Sequence, residues 1–376
     1  MIVAYYVQRS LGLGHVFRAH KFLTLISERR PNWQIIAITD SPFLFYLSKN
    51  DKYTTFSLSN LYSNLANKPS EELSDILKYW LLDLLNVDVF LISHWRCMAG
   101  ELSGLIPILK RSNVKIGMVL RDIIGQPRLE PELVSSFKDG LLNILDNMID
   151  GVAVLGDDSV HSMADEFSVL KEYKRLFYCG YMPPVASLNE TETATNKPSD
   201  LFCFVGGGWD GDHVLRTAMS LSVSLANKLT SFNSSIITGP FCKAGTQLNL
   251  YKERNQSRGV VLSAYESNWR NAVSSNSIIV CMGGYNTLTE VLYYGAKAIC
   301  IPRNMVGLDE EQYIRSRKFE SISNITTIEQ SELTHDLLED IYYQKSDISP
   351  DLPPLHLFDN GEKCVSYIEW LIENGS

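Results

Sequence analysis

The stretch Val280-Cys281-Met282-Gly283-Gly284-Tyr285-Asn286-Thr287-Leu288-Thr289-Glu290 puts two glycines, small polar side chains and a carboxylate into a few residues. Apolar runs at 277–282 and 298–301 flank it, and a helical pattern over 287–294 stops at Gly295. That spells strand, glycine turn, helix, strand. Glycines without a Cβ let main chain come close to a ligand. Asn286 or Thr287 would open the helix, with side chains suited to cap it. The first N–H groups and the helix dipole would then face a phosphate. Glu290 lies at i+4 from Asn286 and i+3 from Thr287, on the same side of the helix. A carboxylate there repels phosphate but accepts hydrogen bonds from sugar hydroxyls. A pyrophosphate carrying a ribose satisfies both demands. An ordinary helix cap, with Glu290 completing a capping box, fits the same local pattern.

A second group of reactive side chains follows the first apolar run, 2–7. It reads Gln8-Arg9-Ser10-Leu11-Gly12-Leu13-Gly14-His15-Val16-Phe17-Arg18 and continues as a helical pattern to Arg30. A dinucleotide fingerprint would need glycine where Phe17 stands. His15 sits at the helix start, where the dipole lowers its proton affinity, and a neutral imidazole is a candidate general base. Arg18 follows one turn later on the same face. A capping or core histidine is the alternative.

Elements that would position these groups recur along the chain. Val- and Ile-rich runs at 34–39, 87–93, 114–120, 151–155 and 176–180 read as strands of a parallel sheet buried on both faces. Helical stretches such as 71–85 and 132–148 separate them. Ligands of such sheets bind at the carboxyl ends of the strands. That selects Asp40, His94, Trp95, Arg121 and Asp122 for attention; a local Arg121–Asp122 ion pair and a polar His94 under a loop are the alternatives. After Met182-Pro183-Pro184-Val185 the chain loses periodicity and reads as a linker. The rhythm restarts with 201–205, Gly206-Gly207-Gly208-Trp209-Asp210, a helix over about 213–229, and strands at 235–238, 259–262, 277–282 and 297–301. The end, 361–373, reads as an amphipathic helix bearing Val365, Ile368, Trp370, Leu371 and Ile372. The expected division is a Rossmann-like domain at 1–183, a linker at 184–199, a second Rossmann-like domain at 200–358, and a helix at 359–376 packing back toward the first domain.

Composition bounds the rest. The chain has 376 residues, enough for two domains, with 45% hydrophobic and 20% charged residues. A net charge of −9 argues against a general nucleic-acid binder. Arg315, Arg317 and Lys318 read as a solvated helix face. The seven cysteines, at 97, 179, 203, 242, 281, 300 and 364, show no C-x-x-C spacing and sit mostly in apolar runs, which implies a reducing cytosol and no structural zinc. No segment has the length of a membrane span, which leaves only peripheral membrane contact open. The N-terminal run is too short for a signal peptide and lacks a basic lead.

Taken in order, Gly12-Leu13-Gly14-His15-Val16-Phe17-Arg18, Val205-Gly206-Gly207-Gly208, Thr238-Gly239-Pro240, Met282 to Glu290, Gly295, Ile301-Pro302-Arg303 and Glu310-Glu311-Gln312-Tyr313-Ile314-Arg315 resemble the GT-B glycosyltransferases, and more closely glycosyltransferase family 28. The resemblance implies an α/β protein of the GT-B kind, two Rossmann-like domains with parallel sheets facing a central cleft. It implies a nucleotide-sugar, UDP-sugar favoured, bound to the second domain. Gly206, Gly207, Gly208, Gly283, Gly284, Asn286 and Thr287 would hold the diphosphate. Glu290 would take the ribose, Tyr265 would lie near the base after Ala264, and Arg303, Glu311 and Gln312 would lie on the donor side, the last two against the hexose. The acceptor would meet Gly14, Arg18, His94, Arg121 and Asp122 on the first domain, with His15 as the catalytic base. The implied reaction is metal-independent, inverting transfer of a hexose-type sugar to an acceptor hydroxyl on a small molecule or glycan, needing no cofactor beyond the nucleotide-sugar. Two departures stand out. The first turn has one glycine fewer than the family's form, and Trp209-Asp210 follow the triple glycine where Ser and Gln are usual. A nucleotide-sugar hydrolase or epimerase on the same fold, and a non-catalytic nucleotide-sugar-binding subunit, are the competing readings. The expected location is cytoplasmic.

Overall fold

The computed structural model describes residues 1–8, 13–39, 41, 47, 51–58, 70–94, 97, 102–123, 143–166, 173, 175–185, 199–265, 273–303, 310–350 and 352–375. Gly12, Asp40, Trp95, most of the expected helix at 132–148 and nearly all of the linker lie outside them. The chain divides into two compact units, Met1–Val185 with His356–Ser376, and Ala186–Leu355.

Among the described residues, the first unit holds a seven-stranded parallel sheet. Its strands are β1 (Ile2–Val7), β2 (Gln34–Thr39), β3 (Thr54–Ser57), β4 (Val89–Ile92), β5 (Lys115–Arg121), β6 (Gly151–Leu155) and β7 (Leu176–Tyr178), ordered β3-β2-β1-β4-β5-β6-β7. β1 sits inside the sheet, with Val3 opposite Ile35 of β2 and Val89 of β4. The continuous apolar runs arise because both faces are covered. α1 (Gly14–Arg29) follows β1 and buries Val16, Ala19, Phe22, Leu23 and Ile26. α2 (Ser70–Lys78) runs on as a π-helical turn, Tyr79–Leu84, and α3 (Ile106–Arg111) precedes β5. Phe90, Ile92, Met118 and Val154 lie in the core on one side of the sheet.

The second unit repeats the plan. Its strands are β8 (Ser199–Phe204), β9 (Ser234–Ile237), β10 (Val260–Ser263), β11 (Val273–Cys281), β12 (Lys297–Cys300) and β13 (Ile325–Thr327), ordered β10-β9-β8-β11-β12-β13 and all parallel. Its helices are α4 (Asp212–Lys228), α5 (Ala244–Arg254), α6 (Tyr285–Tyr293), α7 (Glu311–Glu320) and α8 (His335–Ser346). Leu215 and Met219 of α4 pack in one core with Cys203, Val280 and Ile299 of the strands.

The last helix, α9 (Glu362–Asn374), belongs to the first unit and packs against α1, β4, β5 and β6. The Tyr367 hydroxyl donates to the Gly151 carbonyl at 2.7 Å, and Trp370 meets Phe177 with ring centroids 4.6 Å apart. Val365, Ile368 and Leu371 are buried, whereas Ile372, expected on the same apolar face, is 39% exposed. All seven cysteines are free and buried, as small hydrophobes would be.

Candidate active site

Both sheets reverse their order at one place. In the first unit the switch lies between β1 and β4, in the second between β8 and β11. Crevices at the carboxyl ends of such strands are where ligands of doubly wound sheets bind. The glycine turns and His15 leave the sheets at these two switch points.

In the second unit β11 ends at Cys281 and α6 begins at Tyr285 with Gly284 as N-cap. No side chain caps this helix, and its first turn holds no acidic residue. Here the expectation is corrected: Asn286 and Thr287 do not cap the helix but lie within its first turn. The main-chain N–H groups at the start of α6 therefore have no partner within the helix. Glu290 sits one turn further on, partly buried. The two glycines divide the work. A Cβ on Gly283 would stand 2.7 Å from the Gln312 carbonyl oxygen, so this glycine allows the close approach of α7. A Cβ on Gly284 would meet nothing closer than the Thr287 hydroxyl at 3.9 Å.

Beneath the turn lies a residue the sequence reading misplaced. Arg315 belongs to no solvated face: its side chain is fully buried, because its guanidinium ties α7 to the turn. It donates to the Gly283 carbonyl at 3.2 Å and to Glu311 Oε1 at 3.2 Å, and lies 5.5 Å from the Tyr285 ring centre. Glu311, expected against the donor hexose, is 3% exposed and faces this guanidinium. The i,i+4 spacing of Glu311 and Arg315 was the available signal.

Gln312 accepts the Arg303 main-chain N–H through its side-chain oxygen at 3.0 Å, which leaves the amide nitrogen to donate elsewhere. The Arg303 guanidinium reaches Asp210 at 3.4 Å, joining the loops after β12 and β8. The loop after β8 is locked from below. Gly208 and Gly239 hold φ of +90° and +80°, and a Cβ on either would stand 2.4 to 2.5 Å from main-chain atoms of the other's loop. Only glycine meets both demands. Gly206 and Gly207 complete that loop, and Phe241 N–H donates to the Gly207 carbonyl at 2.9 Å. Trp209, 49% exposed, stacks on Phe241 with centroids 5.2 Å apart. α4 starts after Gly211 with Asp212 in its first turn, which makes it a poorer anion site than α6. Tyr265, half exposed, lies just beyond β10 with Ala264.

In the first unit His15 lies in the first turn of α1, which also lacks a side-chain cap and an acidic first turn. Gly14 opens the helix, and a Cβ there would meet nothing within 4 Å. Arg18, buried, donates to His15 Nδ1 at 3.2 Å and to the Ser93 carbonyl at 3.3 Å. A guanidinium only donates, so Nδ1 keeps its lone pair and the neutral ring carries its proton on Nε2. The His94 ring lies 5.9 Å from His15. Burial first, then the positive charges of Arg18 and Arg121 and the His94 imidazole, hold the His15 pKa well below the ordinary imidazole value. Arg121 ends β5, and Asp122 is buried with Oδ1 accepting the Ile123 N–H at 2.9 Å. Sequence reading thus named residues that the structure brings to one switch point, but not the orientation of the ring. Among the described residues, no group of three or more His, Cys, Asp or Glu side chains is placed to hold a metal ion. No helix among them is long and apolar enough to cross a membrane.

The two parallel α/β units match solved structures of the GT-B fold, and the chain is a glycosyltransferase of that fold class. It resembles family 28: residues 202–348 match the Glycosyltransferase family 28 C-terminal domain. Similar solved structures span nearly the whole chain. The MurG of Acinetobacter baumannii is 13% identical, with a TM-score of 0.57 over 98% of this chain and 95% of that one. The glycotransferase of kitacinnamycin is 13% identical, with a TM-score of 0.62 over 100% and 96%. UGT2 of Phytolacca americana, complexed with UDP-2fluoro-glucose and pterostilbene, is 11% identical, with a TM-score of 0.58 over 100% and 94%. No curated protein matches the chain in sequence.

Proposed function

We propose that this glycosyltransferase moves a hexose-type sugar from a nucleotide-diphosphate sugar, UDP favoured, to an acceptor oxygen, with inversion and without a metal ion. The carrying observation is the start of α6: an N-terminus with no side-chain cap at the switch point, no acid in its first turn, and Glu290 one turn along. In this reading the N–H groups of Gly284, Asn286 and Thr287 take the diphosphate, flanked by Gly206, Gly207 and Gly208, with Gly283 shaping the turn. Glu290 accepts from the ribose hydroxyls and Tyr265 lies against the base. The hexose meets the Gln312 amide nitrogen beside Arg303, while Glu311 acts from below through Arg315. Gly14, Arg18, His94, Arg121 and Asp122 form the acceptor side, and His15 is the catalytic residue there.

The attacking oxygen displaces the nucleoside diphosphate from the anomeric carbon in one step, which inverts the centre. Charge developing on the leaving group falls on preorganised N–H groups and a helix dipole, which cost no reorganisation at the moment of reaction. The plant structure holding UDP-2fluoro-glucose supports a UDP-sugar. Seven buried free thiols support a reducing, cytoplasmic setting.

The test is a thermal-shift panel of UDP, TDP, GDP and UDP-glucose, followed by product analysis. Ligand at about 100 times Kd should add about 2.7 kcal/mol of stability. A UDP-selective shift and sugar transferred to added acceptors are the expected results. Free sugar as the sole product makes the protein a hydrolase. Binding without turnover makes it a nucleotide-sugar-binding subunit, and no shift with any nucleotide removes the donor site.

A further inference from the structure

The second unit carries a cavity of about 480 Å³ on its helical layer. That size lies within the roughly 300–1,000 Å³ of small-molecule sites. None of its lining residues belongs to the glycine turns or to α6. α4 supplies His213, Arg216 and Ser220 from one helical face, at intervals of three and four residues. The end of α5 supplies Glu253, and the turn after it Gln256. The start of α8 supplies Thr334, its N-cap, and His335. Val223 and Leu333 add an apolar patch.

The polar groups divide into held and open ones. Ser220 Oγ lies 3.2 Å from His335 Nδ1, and His335 Nε2 lies 3.8 Å from a Glu339 oxygen. Thr334 Oγ1 accepts the Leu337 N–H at 3.2 Å. These contacts fix one wall. The side chains of His213, Arg216, Glu253 and Gln256 have no hydrogen bond or ion pair among the described residues. Arg216 and Glu253 thus line one cavity without closing an ion pair. A guanidinium only donates and a carboxylate only accepts, so a ligand must meet both kinds of group together.

Glu253 would repel an anion, and Arg216 a cation. An apolar ligand would strip water from both charges without replacing its hydrogen bonds. A neutral polyhydroxyl compound meets both demands, because each hydroxyl donates and accepts. Neighbouring hydroxyls match the paired N–H groups of a guanidinium and the paired oxygens of a carboxylate. The C–H face of a sugar ring would rest on Val223 and Leu333.

We propose that this cavity is a second saccharide site, which binds one neutral pyranose ring through Arg216, Glu253 and Gln256 against the wall of Ser220 and His335. The site stands whether or not α6 takes a diphosphate. Its occupant is a free hexose or one ring of a glycan.

The test reads the histidine rings of the full chain by NMR at constant pH, with His213→Gln and His335→Gln to assign the two rings in the cavity. Methyl glycosides of glucose, galactose, mannose and N-acetylglucosamine are titrated singly, then inorganic phosphate and putrescine as charged probes. At least one glycoside should shift both rings saturably, at a concentration roughly tenfold or more below either charged probe. Arg216→Met and Glu253→Gln should each weaken that response roughly tenfold, with unfolding midpoints like that of the wild type. A disaccharide of the responding sugar that binds more tightly than the glycoside assigns the cavity to a glycan; equal or weaker binding assigns it to a single sugar. No shift of the two rings with any glycoside, an equal response to phosphate or putrescine, or an unchanged response in either variant overturns the inference. The response should persist with UDP present. Its loss on adding UDP would place the sugar in the donor crevice and overturn the second site, whereas failure of UDP to bind removes the donor reading alone.

Discussion

The two switch points are built on the same strand order and solve opposite problems. At the first, between β1 and β4, charged and titratable side chains gather: His15 beside the buried Arg18, with His94 5.9 Å from His15 and Arg121 adding its charge to the same histidine. At the second, between β8 and β11, main chain does the work. Glycine turns and the start of α6 form the surface, while the charged pair Arg315–Glu311 is kept underneath. A diphosphate is recognised by fixed N–H groups, which need only a rigid turn. An attacking oxygen needs side chains of definite charge and tautomer. In the proposed function, one scaffold would yield a recognition half and a reacting half through the different turns that leave its central strands.

The contrast can be broken at its supports. Arg315→Met should cost about 3–5 kcal/mol in denaturant unfolding, because Glu311 is left as a buried, uncompensated charge. Arg18→Met, also buried but bonded to a neutral imidazole, should cost only about 1–3 kcal/mol. Equal losses would mean that the two guanidinium sites are not built differently. Gly239→Ala should cost at least about 1–3 kcal/mol through strain at a φ of +80° and contact with Gly207, and it should weaken UDP binding. Gly14→Ala, with open space around it, should be neutral or stabilise by up to about 1 kcal/mol.

Acid should act on the first unit. His20, whose Nδ1 meets the Tyr53 hydroxyl at 2.8 Å, has its pKa lowered to about 4, chiefly by burial and then by Lys52 and Lys21. His15 is shifted in the same direction. Below the unfolded imidazole pKa of about 6.5 the unfolded chain binds protons that the native chain does not, so stability falls as pH drops from there toward about 4. Each such histidine contributes at most about 1.4 kcal/mol per pH unit. Unfolding midpoints across that window, with His20→Gln expected to flatten the slope, provide the check. The smallest effect belongs to the exposed Asp210–Arg303 pair: Asp210→Asn should change stability by less than about 1 kcal/mol, read by the same unfolding.

Much of the scaffold was legible because buried parallel strands announce themselves. The runs 2–7, 34–39 and 151–155 coincide with β1, β2 and β6. β3 and β13 were not seen, since TTFS and ITT each hold one apolar residue among hydroxyl side chains, unlike the apolar runs of the equally short edge strands β7 and β10. α5 and α8 were also missed; each buries only two or three side chains, too few for a clear apolar stripe. At the site, residue identity was readable and orientation was not. Asn286 and Thr287 look like caps in sequence, but Gly284 takes that place because the helix begins earlier, at Tyr285. Arg315 looks solvated beside Arg317 and Lys318, yet its partner Gly283 lies 32 residues away, beyond any local pattern. The tautomer of His15 depends on which nitrogen Arg18 meets, and spacing alone does not fix that.

The division of labour itself is tested most directly by calorimetric titration of UDP into the wild-type chain, Glu290→Ala and His15→Gln. Glu290→Ala should lose most of the affinity, since its carboxylate is the proposed ribose acceptor. His15→Gln should bind UDP as the wild type does, since it alters only the reacting half. Unchanged affinity in Glu290→Ala, or lost affinity in His15→Gln, would contradict the assignment of donor recognition to the second switch point.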